Sequence, residues 1–324
     1  MKWVCKIEEW PLRVPFVISR RSCTTTEVVT LTLERGGVVG RGEAAGVNYK
    51  GETAATLKSE IDQFLGGFSG HLTRQTLLDR LPAGGARNAL DCALWDLEAR
   101  EAAKSVFALS GTTATSVQTA FTLSLDTPPK MAEAAIAAAT QPILKMKLGG
   151  DQPVACVKAV RGARPDADII VDANEALTLG ELRQVAPQLA AVGVSLIEQP
   201  LPQGGDEALL EYKSPVPLCA DESCMTADDL PHLTGRYDYI NIKLDKTGGL
   251  TAALELAAAA EALGFGLMVG CMLGTSLAMA PAMVIAPRCR FIDVDGPLLL
   301  DGDRSNGLKY HAGTVQPPSS KLWG

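Results

Sequence analysis

The sequence predicts an α/β protein: an eight-stranded parallel barrel of the TIM type with a smaller α+β companion. Three observations carry this. From about residue 115 onward, eight short apolar runs rich in β-branched residues alternate with alanine-rich segments of helical periodicity. Strand, helix, strand, repeated roughly every 25 residues, demands a parallel sheet, and eight such units close into a barrel. Charged residues stand at or near the C-terminal ends of these runs, where the βα loops of barrel enzymes open.

The chain has 324 residues, too many for one compact core of ordinary size, so one large domain and a smaller one are expected. In the first part, VVTLTLERGGVVGRGEAA (28–45) reads as a hairpin, and 86–103 as an amphipathic helix with Leu90, Leu94 and Leu97 inward. The eight runs follow: SVQTAFTL at 116, ILKMKL at 143, DIIVDAN at 168, VSLIEQP at 194, VPLCADES at 216, YDYINIKLD at 237, GLMVGCML at 266 and RFIDVDG at 290. Segments such as MAEAAIAAAT (131–140), ELRQVAPQLAAVG (181–193) and TAALELAAAAEALG (251–264) carry helix formers and often end in glycine.

Composition narrows the function. The chain is 47% hydrophobic and 21% charged, as soluble globules are. A net charge of −7 and the lack of a basic stripe argue against nucleic acid as a partner. The start, MKWVCKIEEWPLRVP, has no apolar signal core, and nowhere do 18 apolar residues run together, so a cytoplasmic protein without a membrane partner is expected. The eight cysteines are scattered without a CxxC pair, and none of the three histidines (71, 232, 311) has a partner at ligand spacing. Lysines and carboxylates are left for acid-base work.

In ILKMKLGG (143–150), Lys145 and Lys147 share one face of a strand and Leu144, Met146 and Leu148 the other. By itself this reads as a solvated edge strand protected by lysines. A closed barrel has no edge, and Lys147, Asp172, Glu198, Asp221, Lys243 and Asp293 all fall at strand ends, the first five spaced 22 to 26 residues apart. Burying that many charges without a use is costly. Asp172, Glu198 and Asp221 on three neighbouring strands read as a Mg²⁺ site with open positions for substrate oxygens. Lys147 and Lys243, on strands 2 and 6 of eight, lie across a diameter, so a substrate carboxylate on the metal would place its α-carbon between two amines. A metal-stabilised enediolate would then form on proton removal, and the base would need a pKa lowered from about 10.4 towards neutrality. Lys145 is placed to lower the pKa of Lys147 and to meet the substrate carboxylate. A lysine with Mg²⁺ is the general description of enolase-superfamily sites.

At KMK (145–147), VDAN (171–174), IEQP (197–200), ADES (220–223) and NIKLDKTGG (241–249), the sequence resembles the enolase superfamily, muconate-lactonizing subgroup. Within it the chain is most similar to dipeptide epimerases of the proteobacterial L-Ala-D/L-Glu type, through RVPFVISR (13–20), LPAGGARNALDCALWDLEAR (81–100), GCML (270–273) and FIDVDGP (291–297). The resemblance implies an enolase-type (β/α)7β barrel over 113–302, with an α+β capping domain over 1–112 rejoined by the tail 303–324. It implies one Mg²⁺ per subunit on Asp172, Glu198 and Asp221, acid-base catalysis by Lys147 and Lys243 with Lys145 beside them, and a dipeptide α-ammonium held by Asp293 and Asp295. It also implies substrate contacts from Cys271 and Met272. The activity would be isomerisation of L-Ala-L-Glu to L-Ala-D-Glu by two-lysine 1,1-proton transfer, in murein peptide metabolism.

One departure bears on specificity. The family arginine that binds the Glu side chain stands about three residues beyond Arg20, where this chain has Cys23; Arg20 and Arg21 are the substitutes. Other readings stay open: an epimerase of dipeptides with small or apolar side chains, an N-acylamino acid racemase, an o-succinylbenzoate synthase or a cycloisomerase. A Schiff-base lyase and a non-catalytic barrel fit the three carboxylates less well. A homo-oligomer is left open by composition.

Overall fold

The computed structural model describes residues 1–18, 21–150 and 152–324, so Arg20 lies outside the described residues, and only the backbone of Arg21 is described. Strands β1 (Lys2–Ile18), β2 (Arg21–Arg35) and β3 (Val38–Ala44) make an antiparallel sheet. The predicted hairpin is β2–β3, with Arg35 opposite Val38. Its two turn residues, Gly36 and Gly37, have φ of 60° and 84°, the left-handed pair that matches strand twist. Helices α1 (Ala54–Gly67), α2 (Arg74–Arg80) and α3 (Gly85–Glu101) cover the sheet, where Val29, Leu31 and Leu33 meet Leu57, Ile61, Leu90, Leu94 and Leu97. A Cβ on Gly40 or Gly42 would stand 2.2 Å from Ala93 O or 2.1 Å from Ala89 O, so only glycine lets α3 lie this close to β3.

The three leucines of α3 face inward as expected, yet the helix is buried on its other face too, because the barrel packs there. Its second face carries polar groups with partners: Trp95 Nε1 donates to Thr251 Oγ1 at 3.0 Å, Asp91 Oδ2 accepts from Thr251 N at 2.9 Å, and Arg87 Nη2 donates to Thr247 O at 2.6 Å. Polar residues that satisfy a second interface look in sequence like a solvent face.

After α4 (Val106–Ser110) and β4 (Val117–Gln118), all eight runs contribute a parallel strand: β5 (Phe121–Leu123), β6 (Ile143–Lys147), β7 (Asp168–Asp172), β8 (Val194–Glu198), β9 (Leu218–Ala220), β10 (Tyr239–Ile242), β11 (Gly266–Val269) and β12 (Phe291–Ile292). Their order around the sheet is sequential, and Ala120 N donates to Ile292 O at 2.8 Å to close the ring. The first run splits, since β4 pairs instead with the C-terminal hairpin of β13 (Tyr310–His311) and β14 (Thr314–Val315).

Strict strand-helix alternation fails at two crossovers. Helices α5 (Pro128–Ala137), α6 (Pro153–Ala163) and α7 (Leu179–Ala191) are regular, but β8 reaches β9 through only a 3-10 segment at 206–211, and β9 reaches β10 through α8 (Leu230–Leu233). Prolines at 200, 202, 215 and 217 and the pair Gly204–Gly205 leave the first of these no room for an α-helix. Beyond β10 come α9 (Leu244–Thr247) and α10 (Leu250–Ala262), and α11 (Ser276–Ala282) links β11 to β12.

The sheet of the first part reaches over the barrel mouth. Pairing of β1 with β2 shifts between Pro11 and Phe16, and in that gap Leu12 bridges to Leu300, Asp301 N donates to Pro11 O at 2.9 Å and Leu125 N donates to Val17 O at 3.0 Å. The C-terminus returns to the first part of the chain: Trp323 Nε1 donates to Cys92 O at 3.0 Å and Arg41 Nη2 to Leu322 O at 2.6 Å. No helix among the described residues is long and apolar enough to cross a membrane.

Candidate active site

Asp172 ends β7, Glu198 ends β8, and Asp221 follows β9 directly. Asp172 lies opposite Glu198 in the ladder and Glu198 opposite Cys219, which sets the three carboxylates side by side. All three are almost fully buried, and an oxygen from each lies within 4.8 Å of the other two. Burial and then the Asp172 charge push the Glu198 carboxyl above its ordinary range, so the cluster lacks enough positive charge for all its anions. Hard anionic oxygens converging in a buried place suit a divalent cation.

The loops beyond these strands hold the cluster in shape. Gln199 has φ of +35°, a costly conformation for a non-glycine residue. Its Oε1 accepts from Asp221 N at 2.8 Å and Ser223 N at 3.1 Å, and its Nε2 donates to Leu201 O at 2.8 Å and Ser223 Oγ at 2.9 Å. The strained glutamine thus ties the end of β8 to the start of the loop that carries Asp221. Asn241 Nδ2 donates to Glu198 Oε1 at 2.7 Å, and Asn174 N to Asp172 Oδ1 at 2.9 Å. Sequence reasoning missed Gln199 and Asn241, although both stand in the quoted motifs.

Lys145 and Lys147 do share the interior face of β6. Lys145 Nζ lies 2.7 Å from Glu198 Oε2, 2.8 Å from Asp293 Oδ2 and 3.2 Å from Asp172 Oδ2. Burial works against its ammonium, but Asp293, Glu198 and Asp172 outweigh that and hold its pKa well above the lysine value. Its charge is therefore matched by three carboxylates. Lys147 Nζ donates to Asp172 Oδ2 at 2.7 Å and lies 5.6 Å from the Phe16 ring. Lys243 Nζ donates to Asp221 Oδ2 at 2.6 Å. Against burial, Asp221 and Glu198 hold Lys243 well above its ordinary pKa, since the anions around it favour the ammonium. Lys246, also missed, is fully buried and takes Asp221 Oδ1 at 2.7 Å and Asn241 O at 2.8 Å.

Strands β6 and β10 are four apart in a ring of eight, so Lys147 and Lys243 approach from opposite sides. Both line one cavity of about 350 Å³, together with Asp221, Cys271, Met272, Asp293 and Asp295. Phe16, Ile18 and Tyr49 from the first part of the chain cover it. Asp295 Oδ2 accepts from Thr122 N at 2.6 Å; burial and the neighbouring Asp293 push its carboxyl up to about 8. Two adjacent buried acids form a place that suits an incoming cation. Cys23 is half-buried, with Sγ 3.9 Å from Phe16 O, in a pocket that adjoins the main cavity at Met272 and Leu273.

Two domain families cover the chain: the mandelate racemase/muconate lactonizing enzyme N-terminal domain matches residues 2–111, and the enolase C-terminal domain-like family matches 130–321. The L-Ala-D/L-Glu epimerase of Escherichia coli K12 is 45% identical over 311 residues, 95% of this chain and 97% of that one. An N-acetyl-D-glutamate racemase from a Pseudoalteromonas species is 48% identical over 257 residues, covering 79% of this chain and 82% of the relative. The solved structure of an Agrobacterium tumefaciens enolase family member with homology to dipeptide epimerases, holding sodium and L-Ala-L-Glu with an ordered loop, superposes with a TM-score of 0.95 at 45% identity over 99% of each chain. This chain is a member of the enolase superfamily, in the mandelate racemase/muconate lactonizing enzyme family.

Proposed function

We propose that this protein epimerises a dipeptide at the α-carbon of its C-terminal residue, with L-Ala-L-Glu as substrate and L-Ala-D-Glu as product. The observation that carries the reading is the approach of Lys147 and Lys243 from opposite sides of one cavity, with the three carboxylates below and Asp293 and Asp295 at its far wall. The relatives that act on or hold L-Ala-Glu dipeptides support it.

The substrate carboxylate lies over the triad beside Lys145, and the α-ammonium between Asp293 and Asp295. One lysine, as the free amine, takes the α-proton; the electron pair left on carbon spreads into the carboxylate; the ammonium of the other lysine returns a proton to the opposite face. Each turnover inverts the centre and exchanges the roles of the lysines. Asp172, Glu198 and Asp221 would hold one Mg²⁺, which would supply charge to the developing anion and oppose the carboxylates' hold on the lysine protons. Phe16, Ile18 and Tyr49 keep water from the carbanion. We assign the Glu side-chain carboxylate to Arg20 or Arg21, since Arg21 pairs in the ladder with Ile18, a residue of the cavity wall. We divide the chain into a capping domain, 1–112 with the tail 303–324, and a barrel over 113–302; the separate core under β1–β3 supports the cap, while Leu308, Val315, Leu322 and Trp323 of the tail pack into the barrel core. Eight free cysteines suit a reducing, cytoplasmic setting.

The 48% identical relative favours a second reading, racemisation of N-acetylglutamate. Asp293 and Asp295 weigh against it, because an acylated nitrogen brings no positive charge to a pair of acids. Incubation in D₂O with Mg²⁺ decides between them. L-Ala-L-Glu should gain one deuterium and invert, at a kcat/KM at least about tenfold above that of N-acetyl-L-glutamate, the worth of one charge-assisted bond. Faster turnover of the N-acetyl compound would replace the first reading with the second.

A further inference from the structure

A second cavity, of about 570 Å³, lies behind one wall of the active cavity. The two share Phe16, Thr122 and Leu299. The rear chamber is lined mainly by apolar groups of the first barrel segment and α5, among them Phe121, Leu123, Leu125 and Met131.

The partition is held on both sides. Pro15 O accepts from Ser124 Oγ at 3.3 Å and Val17 N donates to the same hydroxyl at 3.4 Å, which fixes the residues flanking Phe16 to the barrel. On the other side Arg13 Nε donates to Leu300 O at 2.7 Å and Leu12 bridges to Leu300, which brings the neighbour of Leu299 against the same strand. The break in β1–β2 pairing between Pro11 and Phe16 frees the backbone for these bonds. Thr122, the third shared residue, donates through its N–H to Asp295. Through Thr122 the partition is tied to the Asp293–Asp295 end of the active cavity.

We propose that Phe16 and Leu299 set the upper size of the side chain on the substrate's N-terminal residue, and that the chamber behind them is a latent subsite for an apolar side chain. This rests on the reading above: with the α-ammonium at Asp293 and Asp295, the side chain of the first residue meets the partition. The wall admits the methyl of alanine and turns away a branched aliphatic chain; once a wall residue is shortened, that chain enters the apolar space.

The test compares kcat/KM for L-Ala-L-Glu and L-Leu-L-Glu in wild type, Leu299→Ala and Phe16→Ala, with Mg²⁺ present. Both wall side chains are half-buried, so shortening them keeps the fold. Because Phe16 lies over Lys147, the readout is the leucine-to-alanine ratio within each protein, which a loss common to both substrates leaves unmoved. In wild type the ratio should be below about 0.1, and Leu299→Ala should raise it about tenfold or more, mainly through KM, as pocket volume governs such discrimination. Phe16→Ala should move it the same way. A wild type that takes both dipeptides equally, or a ratio unchanged in both variants while L-Ala-L-Glu is still turned over, overturns the inference alone. Failure of wild type to exchange any free dipeptide overturns the epimerase reading and this inference with it.

Discussion

Lys243 Nζ stands 2.6 Å from one oxygen of Asp221, and Lys246 stands 2.7 Å from the other. One buried carboxylate is thus engaged by a cavity lysine and by a structural one, and both lysines lie within seven residues after the start of β10. Its pKa is forced far below the usual carboxylate range: burial opposes ionisation, and Lys243 and Lys246 overcome it.

Asp221→Asn removes an anionic oxygen from the proposed cation site and leaves the two lysines without their shared partner. Activity in Mg²⁺ should fall by about 10² or more, and the Mg²⁺ concentration for half-activation should rise at least about tenfold. A chelator titration of wild type, followed by Mg²⁺ add-back, should abolish and restore turnover. Full activity in the variant after exhaustive chelation would refute the metal assignment.

The two cavity lysines should be separable by isotope. Lys147→Ala and Lys243→Ala should each lower epimerisation in both directions by about 10² to 10⁴, the usual worth of a positioned acid-base group. In D₂O, each variant should still wash deuterium into one configuration of the substrate only, the one whose α-proton faces the remaining lysine. Mass spectrometry of recovered dipeptide separates exchange from inversion. Unchanged epimerisation in either variant would exclude the two-base mechanism.

Asp91 joins α3 to α10, accepting from Thr251 N at 2.9 Å and from Thr251 Oγ1 at 2.6 Å. Burial raises its pKa from 3.8 to about 6, with the Thr251 hydrogen bonds working the other way. The folded form therefore holds a proton that the unfolded chain has lost between about pH 4 and 6, so this group's stabilisation is present below pH 4 and is lost as pH rises through 6. A shift of this size corresponds to about 3 kcal/mol. Urea unfolding of wild type and Asp91→Asn from pH 4 to 7 should show wild type losing up to that amount relative to the variant. Parallel pH curves would exclude the titration.

How much was legible in the sequence follows from which constraints are local. Strand and helix periodicity, and the near-regular spacing of charges from Lys147 to Lys243, are properties of the linear chain. A parallel barrel converts that spacing directly into neighbouring positions at one mouth, so the triad and the opposed lysines could be named in advance. The order of strands also set which charges would be opposite.

Tertiary packing decided the rest. Only close approach shows that Lys145 is enclosed by Asp293, Glu198 and Asp172, because the sequence does not tell which carboxylate a long side chain will reach. Gln199 and Lys246 act through bonds to residues 22 to 25 positions away, so their motifs place them near the site without telling which partner each will reach. The two faces of α3 likewise look like core and solvent until the barrel is packed against the second. Phe16 and Leu299, 283 residues apart, become one wall only because β1 leaves its hairpin partner and bonds to the segment at Leu300 and Asp301. Sequence determined the periodic frame and the charges that ride on it; the contacts between distant segments, set by side-chain reach and by the hydrogen bonds a broken strand must find elsewhere, were decided by the fold.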